Sequence, residues 1–230
     1  MKKINVLPQT FYQFKCDESL VNEVLTLAKE EQYIIQRYGD PASNSKSVNN
    51  LLHKEEGYSK LIDWINKCIN EVKEDLKFQC EKFTITQCWL NSAEYGQNHH
   101  KHLHPNSFLS GIFYVNDSDS NTLFYGDNSW NHTGSSLQTM NATFGIDASN
   151  FSVHRKDIIK VTPMENPDLE IIHEESSVKG KLIVFPSNIL HSVLPSCSFS
   201  NTRYTLSFNT FPSGKIGNMS FLAGLELEIK

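Results

Sequence analysis

No apolar run in the 230-residue sequence approaches the roughly 20 residues that a membrane-spanning helix needs. The first residues, Met1-Lys-Lys-Ile-Asn-Val-Leu-Pro8, carry two lysines with no apolar segment behind them, so they do not read as a secretory signal. Paired cysteine motifs are also missing. Cys16, Cys68, Cys80, Cys88 and Cys197 are odd in number, scattered, and form no C-x-x-C. They read as reduced, mostly buried thiols, and the expected setting is cytoplasmic. Without secretion, Asn-x-Ser/Thr triplets such as those at Asn131 and Asn141 carry no meaning. There is no basic excess either. A net charge of −5 gives no field to hold duplex nucleic acid, which is therefore an unfavoured partner. No internal repeat is present. With 39% apolar and 20% charged residues, the chain has the composition of one globular domain able to bury a sizeable core.

What is present begins with a helical half. Residues 4 to 15 alternate loosely and read as a first strand. Asp17 to Glu31 then has a capping residue (Asp17 or Ser19), acids in its first turn, and an apolar stripe of Leu20, Val24, Leu27 and Ala28, which predicts a helix. Gln36 to Asn50 is polar, with Gly39, Pro41 and several Ser and Asn, and reads as a loop. A second helix is predicted from Tyr58 to Leu76, where Leu61, Ile65, Cys68, Val72 and Leu76 recur at spacings of three and four, widened by Ile62, Trp64 and Ile69.

From Phe83 the period changes. Residues 83–90, 108–115, 122–125, 181–185 and 203–210 are rich in β-branched and aromatic residues and read as strands, with a weaker one over 221–229. Helices followed by many short strands predict an α+β, mainly β fold: a barrel or sandwich with the N-terminal helices packed on one face. The chain divides into a supporting segment, 1–80, and a β core, 81–230. Residues 127 to 178 interrupt the core as a polar insert.

The tract Tyr95-Gly-Gln-Asn-His-His-Lys-His-Leu-His104 holds four of the nine histidines. In a strand, His102 and His104 point to one face, where two neutral imidazoles can chelate Fe(II), Zn(II) or Cu(II). The plainer alternative is a polar loop that happens to be His-rich. The run Gly180-Lys-Leu-Ile-Val-Phe-Pro-Ser-Asn-Ile-Leu-His191 supplies a third candidate: a strand, a Pro-containing turn, and a histidine opening the next strand. On position alone, His191 is equally a strand-start histidine satisfied by a single hydrogen bond.

The set Gly96-x5-His102-x-His104 and Gly180-x5-Pro186-x4-His191 is similar to the two cupin motifs. It resembles more closely the double-stranded β-helix (jelly-roll) of Fe(II)/2-oxoglutarate-dependent oxygenases. Asn91 with Tyr95-Gly96 and His102-x-His104 looks like their N…YG…H-x-D stretch, and His191 followed by Arg203-Tyr-Thr205 looks like their H…R-x-S/T. Trp89-Leu-Asn91, His102-Leu-His104-Pro, Ser110-Gly-Ile-Phe-Tyr114 and Phe185-Pro-Ser-x3-His191 together resemble a family of such oxygenases found in marine bacteria and their phages. The resemblance covers roughly residues 85 to 212.

It implies a double-stranded β-helix core and an enzyme that couples oxidative decarboxylation of 2-oxoglutarate, giving CO2 and succinate, to C–H oxidation of a primary substrate, which the sequence does not identify. It further implies Fe(II) on His102, His104 and His191, with O2 and 2-oxoglutarate as co-substrates. Arg203 is the residue for the far carboxylate, since guanidinium is suited to a planar bidentate contact. Thr205 and Ser207 share its strand face, and Tyr114 and Asn91 are further hydrogen-bond donors. The chain departs from the usual pattern where a carboxylate is expected, because His104 stands there. Metal and cosubstrate therefore stay open, and so does a carboxylate from elsewhere, with Asp127 and Glu94 as candidates. His99 and His100 read as solvated rim residues. Two alternatives remain: a three-His cupin-type dioxygenase acting without 2-oxoglutarate, and a non-enzymatic metal-binding β-barrel module. A structural zinc site closes with four protein ligands, whereas three are found here. The insert, with Trp130, Phe144 and Phe151, and the loops around His99 are expected to shape the substrate pocket. Oligomeric state is open, a homodimer among the options.

Overall fold

The computed structural model describes residues 1–6, 9–36, 41–126, 170–217 and 224–229. Two antiparallel sheets face one another. The larger contains β1 (Lys2–Val6), β2 (Gln9–Lys15), β3 (Tyr33–Ile35), β4 (Ser45–Ser47), β5 (Cys80–Ala93), β7 (Leu109–Tyr114), β10 (Lys181–Pro186) and β12 (Arg203–Ile216), in the order β1-β2-β10-β7-β12-β5-β4-β3, with β13 (Leu225–Leu227) on β12. The smaller contains β6 (His99–His102), β8 (Thr122–Gly126), β9 (Glu170–Glu175) and β11 (Leu190–Val193), ordered β6-β11-β8-β9. This is the expected jelly-roll, with α1 (Glu18–Glu30) and α2 (Ser59–Leu76) laid on the outer face of the larger sheet.

The helices form for the reasons written in their sequences. Asp17 caps α1 by accepting from the Ser19 N–H at 2.9 Å, which satisfies one of the free amides of the first turn. In α2, Leu61, Ile62, Ile65, Cys68, Ile69 and Val72 are buried, and Lys77 closes the helix in the left-handed conformation (φ 51°). Leu76 leaves the predicted stripe: at the last turn it is exposed. Each fully buried Leu, Ile or Val on this face contributes about 1.5–3 kcal/mol. The N-terminal pair is tied to the end of α2 by Asp75, which accepts from Lys3 Nζ at 2.6 Å and from Tyr12 OH at 2.8 Å.

Strand alternation sorts the central strands into two faces. Phe113, Leu182, Val184, Leu206, Phe208, Leu90 and Cys88 pack under the helices. Ile112, Tyr114, Phe124, Ile183, Phe185 and Ile189 form a second core between the sheets. Gly111 lies directly opposite Phe208 in the β7–β12 ladder, and a Cβ there would sit 2.2 Å from the ring. Only glycine admits the ring at this position.

Four expectations change. The first strand is two, β1 and β2, paired antiparallel. The supposed loop 36–50 contains β4, a polar strand on which Ser47 Oγ accepts the Leu90 N–H at 3.0 Å. Its serines and lysine carry no apolar alternation, so the period-2 signal is absent. The end of the supposed insert, β9, belongs to the smaller sheet. The tract 99–102 is itself a strand. Trp130, Phe144 and Phe151, expected to touch substrate, lie outside the described residues.

Candidate metal centre

β6 and β11 bring the three histidines together. His191 is the direct ladder partner of His102, so their side chains leave the sheet on the same face. His104 lies two residues past the end of β6 and is held by its N–H to the Ser187 carbonyl at 3.0 Å. One ring nitrogen from each of His102, His104 and His191 lies within 4.8 Å of the other two.

Each of these imidazoles is oriented through Nδ1. His102 donates to the His100 carbonyl at 2.8 Å, His191 to the Ile189 carbonyl at 2.9 Å, and His104 to Asn209 Oδ1 at 2.6 Å. A carbonyl oxygen only accepts, so Nδ1 carries the proton and Nε2 keeps its lone pair. The Asn209 amide is fixed the same way: Ser110 Oγ donates to its Oδ1 at 3.0 Å and its Nδ2 donates to Gln87 Oε1 at 3.0 Å. Burial lowers the pKa of all three histidines, with neighbouring imidazoles adding to the effect on two of them. His102 is pushed down to about 3 by burial and then by His104, and His191 lies well below its ordinary value by burial and then by His102 and His104. His104 is lowered by burial, partly offset by its bond to Asn209. Neutral rings with free Nε2 atoms are what a metal requires.

The wall beside the triad is built by β5 and β12. Thr205 pairs with Asn91, and Ser207 with Trp89. Arg203, Thr205, Ser207, Asn91, Trp89, Ile112 and His99 line the same cavity as the three histidines. Arg203 is buried at 3% exposure. Its Nε donates to Ser177 Oγ at 3.1 Å, its guanidinium carbon lies 5.7 Å from the centre of the Tyr114 ring, and its Nη2 has no partner among the described residues. Burial pushes its pKa down to about 10, with Tyr114 acting to raise it. No carboxylate lines the cavity among the described residues. A buried, incompletely paired guanidinium is a costly arrangement that an incoming carboxylate relieves.

The remaining expected site residues divide. Asn91 lines the cavity but is committed within the protein: its Nδ2 donates to Ser207 Oγ at 3.0 Å and its Oδ1 accepts from Trp89 Nε1 at 3.2 Å. The Tyr114 hydroxyl donates to Thr122 Oγ1 at 2.9 Å, so what Tyr114 turns toward Arg203 is its ring. Glu94 is exposed and outside the three-histidine group. Asp127 lies outside the described residues. His100 is exposed as expected, but His99 is buried, against the expectation of a rim residue. Its ring stacks on His102 with centroids 4.0 Å apart.

Three contributors went unread in the sequence. Asn209 continues the alternation Arg203, Thr205, Ser207 by one more step on the same face, a signal that was available. Ser177 had no signal. For His99 strict alternation points the wrong way, because i and i+3 lie on opposite faces of a regular strand. Here His102 pairs with His191 and His99 with Val193, so three steps in β6 match two in β11. That extra residue is a β-bulge, and it turns His99 back onto the metal face.

The fold recurs in solved structures at low sequence identity. SnoK, a non-heme alpha-ketoglutarate-dependent carbocyclase from nogalamycin biosynthesis, is similar with a TM-score of 0.64 at 10% identity, over 96% of this chain and 90% of that one. A Pseudomonas putida prolyl-4-hydroxylase is similar with a TM-score of 0.57 at 14% identity, over 91% and 96%. A Trichoplax adhaerens prolyl hydroxylase, solved with a hypoxia inducible factor oxygen degradation domain peptide fragment, gives 0.55 at 12%, over 90% and 86%. No curated protein sequence matches the chain. Residues 87–209, which carry all three histidines, Arg203 and the strands that hold them, match the family described as "Putative 2OG-Fe(II) oxygenase", and the chain belongs to that family of Fe(II)- and 2-oxoglutarate-dependent dioxygenases.

Proposed function

We propose that His102, His104 and His191 hold Fe(II) through Nε2, and that Arg203 receives the far carboxylate of 2-oxoglutarate. The observation that carries the second assignment is the unpartnered Nη2 of a buried Arg203 in the cavity that the three histidines share. The first rests on the donor set: three neutral imidazoles, all oriented by Nδ1 donors, with no fourth protein ligand among the described residues. A three-ligand set leaves coordination positions for cosubstrate and O2. When bound, the iron supplies the O2 chemistry that converts 2-oxoglutarate to succinate and CO2 and oxidises a C–H bond of the primary substrate.

The chain's own residues bind and orient. Asn209 fixes the His104 ring, and the two strand carbonyls fix His102 and His191, so Nε2 atoms converge without reorganisation. Ser177 sets the plane of the Arg203 guanidinium through Nε, leaving Nη2 to face the ligand. Trp89, Ile112 and Val193 make the apolar part of the wall and keep water from the reacting groups. Three neutral ligands leave the metal's double positive charge intact, and this, with Arg203, favours the dianionic cosubstrate electrostatically. The net charge of −5 disfavours a nucleic acid duplex as substrate, and the five free cysteines fit a reducing, cytoplasmic setting.

The test is turnover without primary substrate. Fe(II)-loaded protein should consume O2 only when 2-oxoglutarate is present and form succinate in step with it, and Arg203→Met should abolish both. O2 consumption that persists in Arg203→Met, with no succinate formed, would refute the assignment.

A further inference from the structure

We infer that His99 is a cosubstrate-binding residue: its Nε2–H donates a hydrogen bond to a carboxylate of 2-oxoglutarate. This rests on the function proposed above. His99 Nε2 is buried and has no hydrogen-bond partner among the described residues, on a residue only 8% exposed. A buried ring nitrogen left unpaired is unfavourable unless something entering the site pairs with it. The bulge in β6 turns the ring onto the cavity wall, where it stacks on His102 at 4.0 Å and 20°. Arg203 lines the same wall and acts on His99 electrostatically. His99 thus sits within the field of two positive centres, the metal ligated by His102 and the Arg203 guanidinium. A ligand drawn there is an anion, and a carboxylate only accepts hydrogen bonds, so the partner must donate. Asn91 is less free to do so, because its Nδ2 already donates to Ser207. A neutral His99 with its proton on Nε2 meets the requirement without acquiring charge.

The test uses the full chain loaded with Mn(II) in the absence of O2, with calorimetry for 2-oxoglutarate and a separate titration of the metal. The wild type is measured first. If it binds Mn(II) but not 2-oxoglutarate, the function proposed above falls, and this inference with it. If it binds, His99→Phe keeps the stacked ring and removes the donor, and should weaken 2-oxoglutarate about tenfold or more, as loss of a hydrogen bond to a charged group does. His99→Gln retains an N–H donor and should stay within about threefold of wild type. Metal affinity should be unchanged in both. Unchanged 2-oxoglutarate affinity in His99→Phe would overturn the inference alone. So would a loss of Mn(II) affinity in both variants, since His99 would then only position His102.

Discussion

His191 and His102 are direct partners across the β6–β11 ladder, with ring centroids 4.2 Å apart. The pairing is a property of the backbone: register puts both imidazoles on one face before any metal arrives. The His104 ring completes the group at 5.3 Å from His102 and 5.0 Å from His191. Because the proposed ligands come from two segments about ninety residues apart in sequence, metal binding should tie those segments together. Fe(II) or Mn(II) is expected to raise the thermal midpoint of the wild type and to leave that of His191→Ala unchanged, as a thermal melt with and without metal would register.

Asn209 should matter to the metal without touching it. It accepts the His104 Nδ1 proton at 2.6 Å, and Asn209→Ala removes that acceptor. Metal affinity should fall by about 10- to 100-fold, the range for loss of such a supporting partner. Asn209→Asp keeps an acceptor in place and should retain most of the affinity. Competition against a chelating dye reads both.

Arg203 makes an unusual pair of demands. Its guanidinium is buried with an unpartnered nitrogen, so the protein without ligand should gain or lose little stability in Arg203→Met, because a desolvated charge is removed. The same variant should lose the rise in thermal midpoint that 2-oxoglutarate gives the metal-loaded wild type. Arg203→Lys should rescue poorly, since a point charge does not reproduce the planar fork.

Much of this centre was legible in the sequence because the His102-x-His104 spacing suggests a chelating pair and the resemblance to the oxygenase motifs adds His191 and Arg203. The alternation Arg203, Thr205, Ser207 is a strand-period pattern, whereas His104 lies beyond the end of β6 and is placed by its N–H bond to the Ser187 carbonyl; the structure puts all of these and His191 around one cavity. The helices were legible through their 3.6-residue stripes and the Asp17 cap. What failed to show follows from physics that a pattern does not encode. The bulge that turns His99 inward depends on how β6 pairs with β11, a long-range fact. Strand β4 is polar and stabilised by the Ser47 hydroxyl, so it lacks apolar alternation. Tyr114 reads as a donor to the cosubstrate, but its hydroxyl donates to Thr122 on the facing, smaller sheet.

Gly111 and Phe208 offer a test of the packing that supports the site. Gly111→Ala would place a Cβ 2.2 Å from the ring of Phe208, which is fully buried. Gly111→Ala should cost about 1–3 kcal/mol, as overpacking of a filled core does, measured by urea unfolding.

Asp75 predicts an acid sensitivity remote from the metal. Its carboxyl is held below the usual value of 3.8, first by the Lys3 bond and then by that of Tyr12. A carboxyl with a depressed folded-state pKa contributes stability that is present above the unfolded value and lost as pH falls through the folded one. Asp75→Asn should therefore lower the thermal midpoint at neutral pH. The gap between variant and wild type should close as pH drops below about 4.

The account stands or falls on whether three neutral imidazoles and Arg203 together bind iron and 2-oxoglutarate. Anaerobic titration of the Fe(II)-loaded protein with 2-oxoglutarate, followed in the visible region, measures this directly. The account predicts a weak metal-to-ligand charge-transfer band that saturates at one cosubstrate per iron and is absent in His191→Ala and Arg203→Met. Iron that binds without any band, or a band that survives in Arg203→Met at the wild-type 2-oxoglutarate concentration, would contradict it.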